Sequence, residues 1–300
     1  MASEAAKSET AESDAAKSET ARPEAAESET ARPEAAESET AESDAAKSEA
    51  AESEPLLVLD DIHAGYGRAA MVLRGLTIEV PPGTVVCLVG PNGAGKSTVL
   101  RVASGMLRPR TGRIVVAGRD VTGRGPQRML ASGLAHVLQG HSVFPEMTVA
   151  ENVLLGAYTL RDRERIARRV AFVQNLFPIV GERWKQLAGL LSGGQQKQVE
   201  FARSLMVEPK VVLLDEPSMG LDPRTTATVF EQVARMRDAG TAVLLVEQNA
   251  RRALETADLG CVLDLGRVHT SGPAPRLLAD PRLSELYLGG RPEEPARPGG

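Results

Sequence analysis

The chain has 300 residues, a formal net charge of −5 and 42% hydrophobic residues, enough for one or two globular domains. The charge is uneven: residues 1–54 hold 16 acidic and 5 basic side chains, a net of −11, which leaves +6 on residues 55–300. Cys87 and Cys261 lie in apolar runs with no framework or ligand spacing, which excludes a disulfide scaffold, and no stretch reaches the roughly 18 apolar residues of a membrane span.

Residues 1–54 form an acidic arm built on a ten-residue period. Ala11–Thr20 returns nearly unchanged at 41–50, and Ala21–Thr30 is duplicated at 31–40. Ten residues at about 100° each fall about 80° short of a whole number of helical turns, so no face persists. The repeats hold nothing apolar larger than alanine, and Pro23 and Pro33 interrupt any helix. The expectation is a disordered arm. Its start has no apolar core of a secretion signal, so the chain is expected to be soluble and cytoplasmic.

The body begins with Leu56–Leu59 and Leu76–Val80, which read as strands, the second ended by Pro81-Pro82-Gly83. Between them Tyr66, flanked by Gly65 and Gly67, fits two roles: a stacking platform for a base, or a strand residue filling the core. Val85–Val89 is a short apolar run with the look of a buried parallel strand. Gly90-Pro91-Asn92-Gly93-Ala94-Gly95-Lys96-Ser97-Thr98 follows, and a helix is expected from Ser97 to Ser104, ended by Gly105. Strand, glycine loop and helix in that order present backbone N–H groups and the positive helix end to a polyphosphate. Lys96 is placed to reach the β and γ phosphates and the Ser97 hydroxyl to hold Mg²⁺.

Arg113–Gly118 reads as a strand and turn, and Leu134–Gln139 as an apolar run with Gln139 at its end. Thr148 and Glu151 form a capping-box pattern at the start of a helix to Leu155. Arg161–Val170 is charged and helical, and Val173 with Phe177 and Phe172 with Leu176 mark a buried face. Its arginines read as a solvated face. Asp162 and Glu164 break the one-signed patch that nucleic acid would require, so no nucleic-acid partner is expected.

Leu191-Ser192-Gly193-Gly194-Gln195 opens a helix to about Val207, with glycines that leave N–H donors for an anion. Val211–Asp215 is an apolar strand that ends in Asp215-Glu216, a pair able to order Mg²⁺ through water and to orient an attacking water. Ala242–Val246 is a further strand, followed by Glu247-Gln248-Asn249. Leu263–Gly266 with Arg267–Thr270 suggests a closing hairpin, and Ala274–Leu288 a short helix. His63, His136, His141 and His269 lack metal-ligand spacing and read as structural or surface residues.

These elements, in this order, resemble the ATP-binding-cassette ATPases over residues 55–288. The five residues Leu191–Gln195 match that family's signature throughout. The resemblance implies an α/β fold of P-loop NTPase type: a mixed β-sheet core, a small antiparallel β subdomain, and a helical subdomain at about 139–209. Residues 289–300 fall to a flexible tail. It implies ATP and Mg²⁺ as cofactors, with adenine on Tyr66, phosphates in Gly90–Thr98, and Ser97, Gln139 and Asp215 around the metal. Glu216 becomes the general base, and Ser218–Asp222 the loop that crosses a dimer interface. In the family the signature of one subunit, here Ser192, Gly193, Gly194 and Gln195, meets the γ-phosphate held by the other. A second cassette subunit, membrane permeases and, through them, a substrate-binding protein are the implied partners, with this chain on the cytoplasmic face of the membrane.

One position departs from the pattern. Where the family carries a switch histidine this chain has Gln248, which can hydrogen-bond to a phosphate but cannot carry imidazolium charge. Leu245-Val246-Glu247-Gln248-Asn249-Ala250 is similar to the ATP-binding subunits of branched-chain amino acid importers and their urea and amide relatives. Val143–Val149, Leu155–Tyr158, Leu176-Phe177-Pro178 and Tyr287-Leu288-Gly289 agree with that branch, whereas Gly220-Leu221-Asp222-Pro223 has the generic cassette form. Two other readings compete: a soluble cassette clamp acting on ribosomes or DNA, and a non-hydrolysing scaffold, which Gln248 suggests.

Overall fold

The computed structural model describes residues 54–67, 70–140 and 142–283. The arm up to residue 53, His141 and residues 284–300, which include Tyr287–Gly289 and the end of the expected last helix, lie outside the described residues.

Two strands open the described chain, β1 (Leu57–Ala64) and β2 (Leu73–Val80), and both run further than their apolar cores suggest. In β1 the apolar run stops at Asp60-Asp61 because the strand bulges there: the register shifts between Leu59 and Ile62, and Asp61 has φ 46°. Opposite the bulge stands Gly112, where a Cβ would lie 2.5 Å from the Asp61 carbonyl oxygen. Pairing then resumes at Ile62–Ala64. Next come β3 (Val85–Val89), α1 (Lys96–Ala103), β4 (Thr111–Val116), β5 (Arg119–Asp120), α2 (Pro126–Ala131) and β6 (Leu134–Val137). Strands β2-β1-β4-β5, in that order, form an antiparallel sheet.

Four α-helices and one 3₁₀ turn, Ala188–Leu190, follow β6 among the described residues. Thr148 caps α3 (Val149–Leu155) with both bonds of the capping box in place. Then come α4 (Arg163–Leu176), α5 (Pro178–Glu182) and α6 (Gly193–Leu205). The arginines of α4 do not all face solvent. Arg165 donates to Glu208 Oε2 at 2.6 Å and Arg169 to the Leu205 carbonyl at 2.7 Å, which ties α4 to the end of α6. Arg169 also covers the Phe172 ring, 4.1 Å from its centroid.

The chain ends with β7 (Val211–Asp215), α7 (Pro223–Asp238), β8 (Ala242–Val246), α8 (Ala250–Thr256), β9 (Leu259–Asp264), β10 (Arg267–Pro273) and α9 (Ala274–Ala279). α7 is absent from the sequence reading although Asp222 caps it and Pro223 opens it. The larger sheet has the order β10-β9-β3-β8-β7-β6, parallel from β9 to β6 with β10 antiparallel at one edge. Leu265 and Gly266 turn the β9–β10 hairpin with positive φ at both positions, the requirement of a two-residue primed turn.

Every residue of β3, β7 and β8 is buried because the sheet is covered on both sides. Val85, Cys87 and Val89 pack with Val153, Phe201 and Val233 of the helices and with Phe177 between α4 and α5. Val86 and Leu88 pack with Leu59, Ile78 and Ile114 of the small sheet and with Val99 of α1. Both cysteines are buried, and burial raises the Cys261 thiol to about 11, out of reach of ordinary thiolate chemistry.

His136 in β6 is a half-buried exception among polar groups: neither ring nitrogen finds a hydrogen-bond partner among the described residues. Burial lowers its pKa from 6.5 to about 4. The unfolded chain therefore binds the proton that the folded chain refuses, and stability is lost as pH falls from about 6.5 toward 4. That gap corresponds to about 3 kcal/mol in full, of which about 2 kcal/mol is lost by pH 5. Urea unfolding at pH 7.5 and pH 5 should show His136→Phe losing about 2 kcal/mol less than wild type over that interval. Equal losses would overturn the assignment.

Candidate phosphate-binding and catalytic site

The parallel register brings the candidate residues together. β3, β8, β7 and β6 end side by side: Leu88 pairs with Val246, Val246 with Asp215, and Leu214 with Val137. The loops that leave these strand ends carry Gly90–Gly95, Glu247–Asn249, Glu216–Ser218 and Gln139, so four distant sequence segments share one edge of the sheet.

The glycine loop is closely packed from behind. A Cβ at Gly90 would lie 2.1 Å from the Leu263 carbonyl oxygen, and one at Gly95 would meet Leu73 and Val72. Asn92 and Gly93 stay exposed at the tip, with open space beside Gly93. Gly95 takes φ 109° as the residue before α1, so the free N–H groups of the first turn open toward the loop. Lys96 is buried, at 6% exposure, and its Nζ donates to the carbonyl oxygens of Gly90 at 2.7 Å and Pro91 at 3.1 Å. Burial lowers its pKa, and the carboxylates of Glu216 and Asp215 pull the other way. Ser97, half-buried, is the next residue of the same turn.

Tyr66 lies beyond β1 and is 42% exposed, which excludes the core-filling role. Its hydroxyl receives a bond from Arg101 at 3.0 Å and stands 3.4 Å from Thr98 Oγ1, so the ring is held beside α1.

Asp215 is nearly buried, and Oδ1 has no partner among the described residues. Burial raises its pKa, the neighbouring Glu216 raises it further, and Arg101 and Lys96 oppose. A buried carboxylate oxygen without a donor among the described residues suits a hard cation or its water. Glu216 follows with φ 44°, a strained value for a non-glycine residue, held because its N–H donates to the Val246 carbonyl at 2.9 Å. Gln139 is exposed and donates to Glu216 Oε2 at 2.9 Å and to Met219 Sδ at 3.1 Å.

Glu247 and Arg101 were not read from the sequence as site residues. Glu247 is 2% exposed, accepts the Ser218 N–H at 3.0 Å and the Gln248 N–H at 3.2 Å, and so ties the turn after Glu216 to Gln248. Burial is the main reason its pKa is raised. Its sequence signal is that Glu247 follows an all-apolar strand, as Asp215-Glu216 do. Gln248 itself is exposed at the strand end.

The signature residues stand apart. The hydrogen bonds of Ser192 and Gln195 close on each other, Gln195 N–H to Ser192 Oγ at 3.4 Å and Ser192 N–H to Gln195 Oε1 at 3.1 Å. Gly194 is set by α7, where its Cβ would lie 2.3 Å from Thr225 Cγ2. Ser192 is exposed and Gly193 half-exposed, so the start of α6 is open to a group from outside.

The family model described as "ABC transporter" matches residues 73–219. The high-affinity branched-chain amino acid transport ATP-binding protein BraG of Pseudomonas aeruginosa is 38% identical over 237 residues, 78% of this chain and all of that protein. The lipopolysaccharide export system ATP-binding protein LptB of Acidithiobacillus ferridurans is 34% identical over 74% of this chain and 92% of its own length. Among solved structures, the ADP conformation of MJ1267, an ATP-binding cassette of an ABC transporter, superposes with a TM-score of 0.72 at 28% identity, covering 79% of this chain and all of that one.

Proposed function

The chain belongs to the ABC transporter ATPases, and from that premise we propose that it is the ATP-hydrolysing subunit of a branched-chain amino acid importer. The observation that carries the chemistry is the group at the strand ends: Lys96, Asp215 with an oxygen that has no partner among the described residues, and Glu216 joined to Gln139. Support for the cargo comes from the full-length similarity to BraG together with Glu247-Gln248-Asn249 after β8.

In this reading Gly90–Thr98 bind the phosphates and Tyr66 takes the adenine. Lys96 exchanges the Gly90 and Pro91 carbonyls for phosphate oxygens. Ser97, Asp215 and Gln139 are the residues that would hold Mg²⁺, which would supply charge neutralisation at the phosphates. Glu216 orients the attacking water and accepts its proton, and Gln248 hydrogen-bonds to the phosphate without adding charge. Ser192–Gln195 contribute to the site of a second cassette subunit, whose own signature completes this one. Residues 55–288 form the ATPase domain, with the helical subdomain at about 139–209, and residues 1–54 an accessory arm.

Among the described residues no helix is long and apolar enough to cross a membrane. Attachment to the cytoplasmic face then falls to permease subunits. A cavity of about 260 Å³ lined by Leu138, Leu155 and Tyr158 fits a permease segment, since all three side chains are exposed and Gln139 is adjacent. Similarity to LptB favours a second reading with a lipid cargo and the same ATP chemistry.

Reconstitution with the permease pair in liposomes tests the assignment. Leucine with its binding protein should raise ATP turnover by at least about five-fold. Stimulation by lipopolysaccharide or urea instead of any branched-chain amino acid would overturn the cargo and leave the ATPase in place.

A further inference from the structure

We propose that Lys197, Glu200 and Arg203 of α6 are positioning residues that hold the chain beyond Gln139, so that the Gln139 amide meets Glu216. Spaced at three, they share one face of the helix. Lys197 Nζ donates to the Gly140 carbonyl at 2.7 Å and to Glu200 Oε2 at 2.6 Å. Glu200 Oε1 accepts the Ser142 N–H. Arg203 donates to Ser142 Oγ at 2.6 Å and lies over the Phe144 ring, 5.6 Å from its centroid.

The side chains of Lys197 and Glu200 are 3% and 0% exposed. A buried ion pair stabilises a fold little better than apolar residues of the same volume. Here the surplus bonding capacity of both charges goes to the backbone of Gly140 and Ser142, and such bonds fix position. Gln139 needs that support. It is exposed, and the next residue, Gly140, takes φ 87° with open space where a Cβ would stand. The same network reaches the cavity proposed for the permease, since Ser142, Glu200 and Arg203 line it beside Leu138. A segment entering that cavity meets the residues that place Gln139.

The inference rests on the proposed role of Gln139, and a mutant cycle separates the two. ATP turnover of the full chain is measured for Gln139→Ala, for Lys197→Met with Glu200→Leu, which removes both buried charges together, and for all three. The pair is expected to lower kcat about ten-fold with KM for ATP changed less than about two-fold, and to cost nothing further once Gln139 is alanine. Amide exchange at Ser142, whose N–H bonds to Glu200, should rise at least about ten-fold in the pair variant. If the pair variant melts early, Glu200→Gln, which keeps the shape, enters the same cycle. Losses that multiply, or unchanged exchange, overturn the inference alone. A wild-type rate for Gln139→Ala removes Gln139 from the site and the inference with it.

Discussion

Glu216→Gln is expected to lower kcat by about 100- to 1000-fold, within the usual range for loss of a positioned proton acceptor, while ATP binding changes by less than about three-fold. The amide has the shape of the carboxylate and can still accept a bond from Gln139, so the contact seen at 2.9 Å survives. What it cannot do is take a proton from water. The backbone supports the same assignment. A non-glycine residue at φ 44° costs about 1–3 kcal/mol, and the bond from Glu216 N–H to the Val246 carbonyl offsets part of it. That geometry turns the carboxylate out of the strand line toward Gln139. Single-turnover measurement with saturating ATP checks the result. Unchanged turnover would remove Glu216 as the base.

Lys96→Ala is expected to weaken ATP binding by at least about 100-fold, or about 2.7 kcal/mol, and to abolish measurable turnover. The ammonium group is the charged end of the loop, and it is already desolvated: it sits under the Gly90 and Pro91 carbonyls at 6% exposure. A triphosphate therefore meets a cation that has lost most of its water. Removing it also takes away a charge that opposes the raised pKa of Asp215, so that carboxyl becomes easier to protonate. Titration with a fluorescent ATP analogue, with a melting curve to show that the variant is folded, measures the effect. Tight binding by folded Lys96→Ala would overturn the phosphate-loop assignment.

The phosphate loop was legible because its chemistry is local. Strand, glycines, Lys96 and helix follow one another, and the glycines are needed where the Leu263 carbonyl and the Leu73 side chain press against the backbone. The capping box at Thr148 is legible for the same reason, since it closes within three residues, whereas the second box, Ser192 with Gln195, is one only the structure shows. Apolar runs gave β3 and β8 with their observed ends. They cut β1 short at Asp60-Asp61, because a bulge puts two polar residues inside a strand.

Contacts across the chain were not legible. Arg165 and Arg169 read as a solvated face, and they bind Glu208 and the end of α6 some 40 residues later. For Tyr66 the sequence leaves two roles open, and its exposure and its bond with α1 decide between them. Glu247 reads in the sequence only as part of a family-like run, and the sheet places it beside the turn after Glu216.

By itself, then, the sequence determined the residue types of an ATP site, the family, and which strands are buried on both faces, because glycine tolerance, capping and apolar periodicity are properties of neighbouring residues. Tertiary structure decided what those residues meet. Register between β3, β8, β7 and β6 assembles Lys96, Asp215, Glu216, Gln139 and Glu247 at one edge. Helix packing buries Lys197 and Glu200 against Gly140 and Ser142. The physical reason is that a charge or a hydrogen-bonding group is specified by its partner and its exposure, and both depend on segments far apart in the chain.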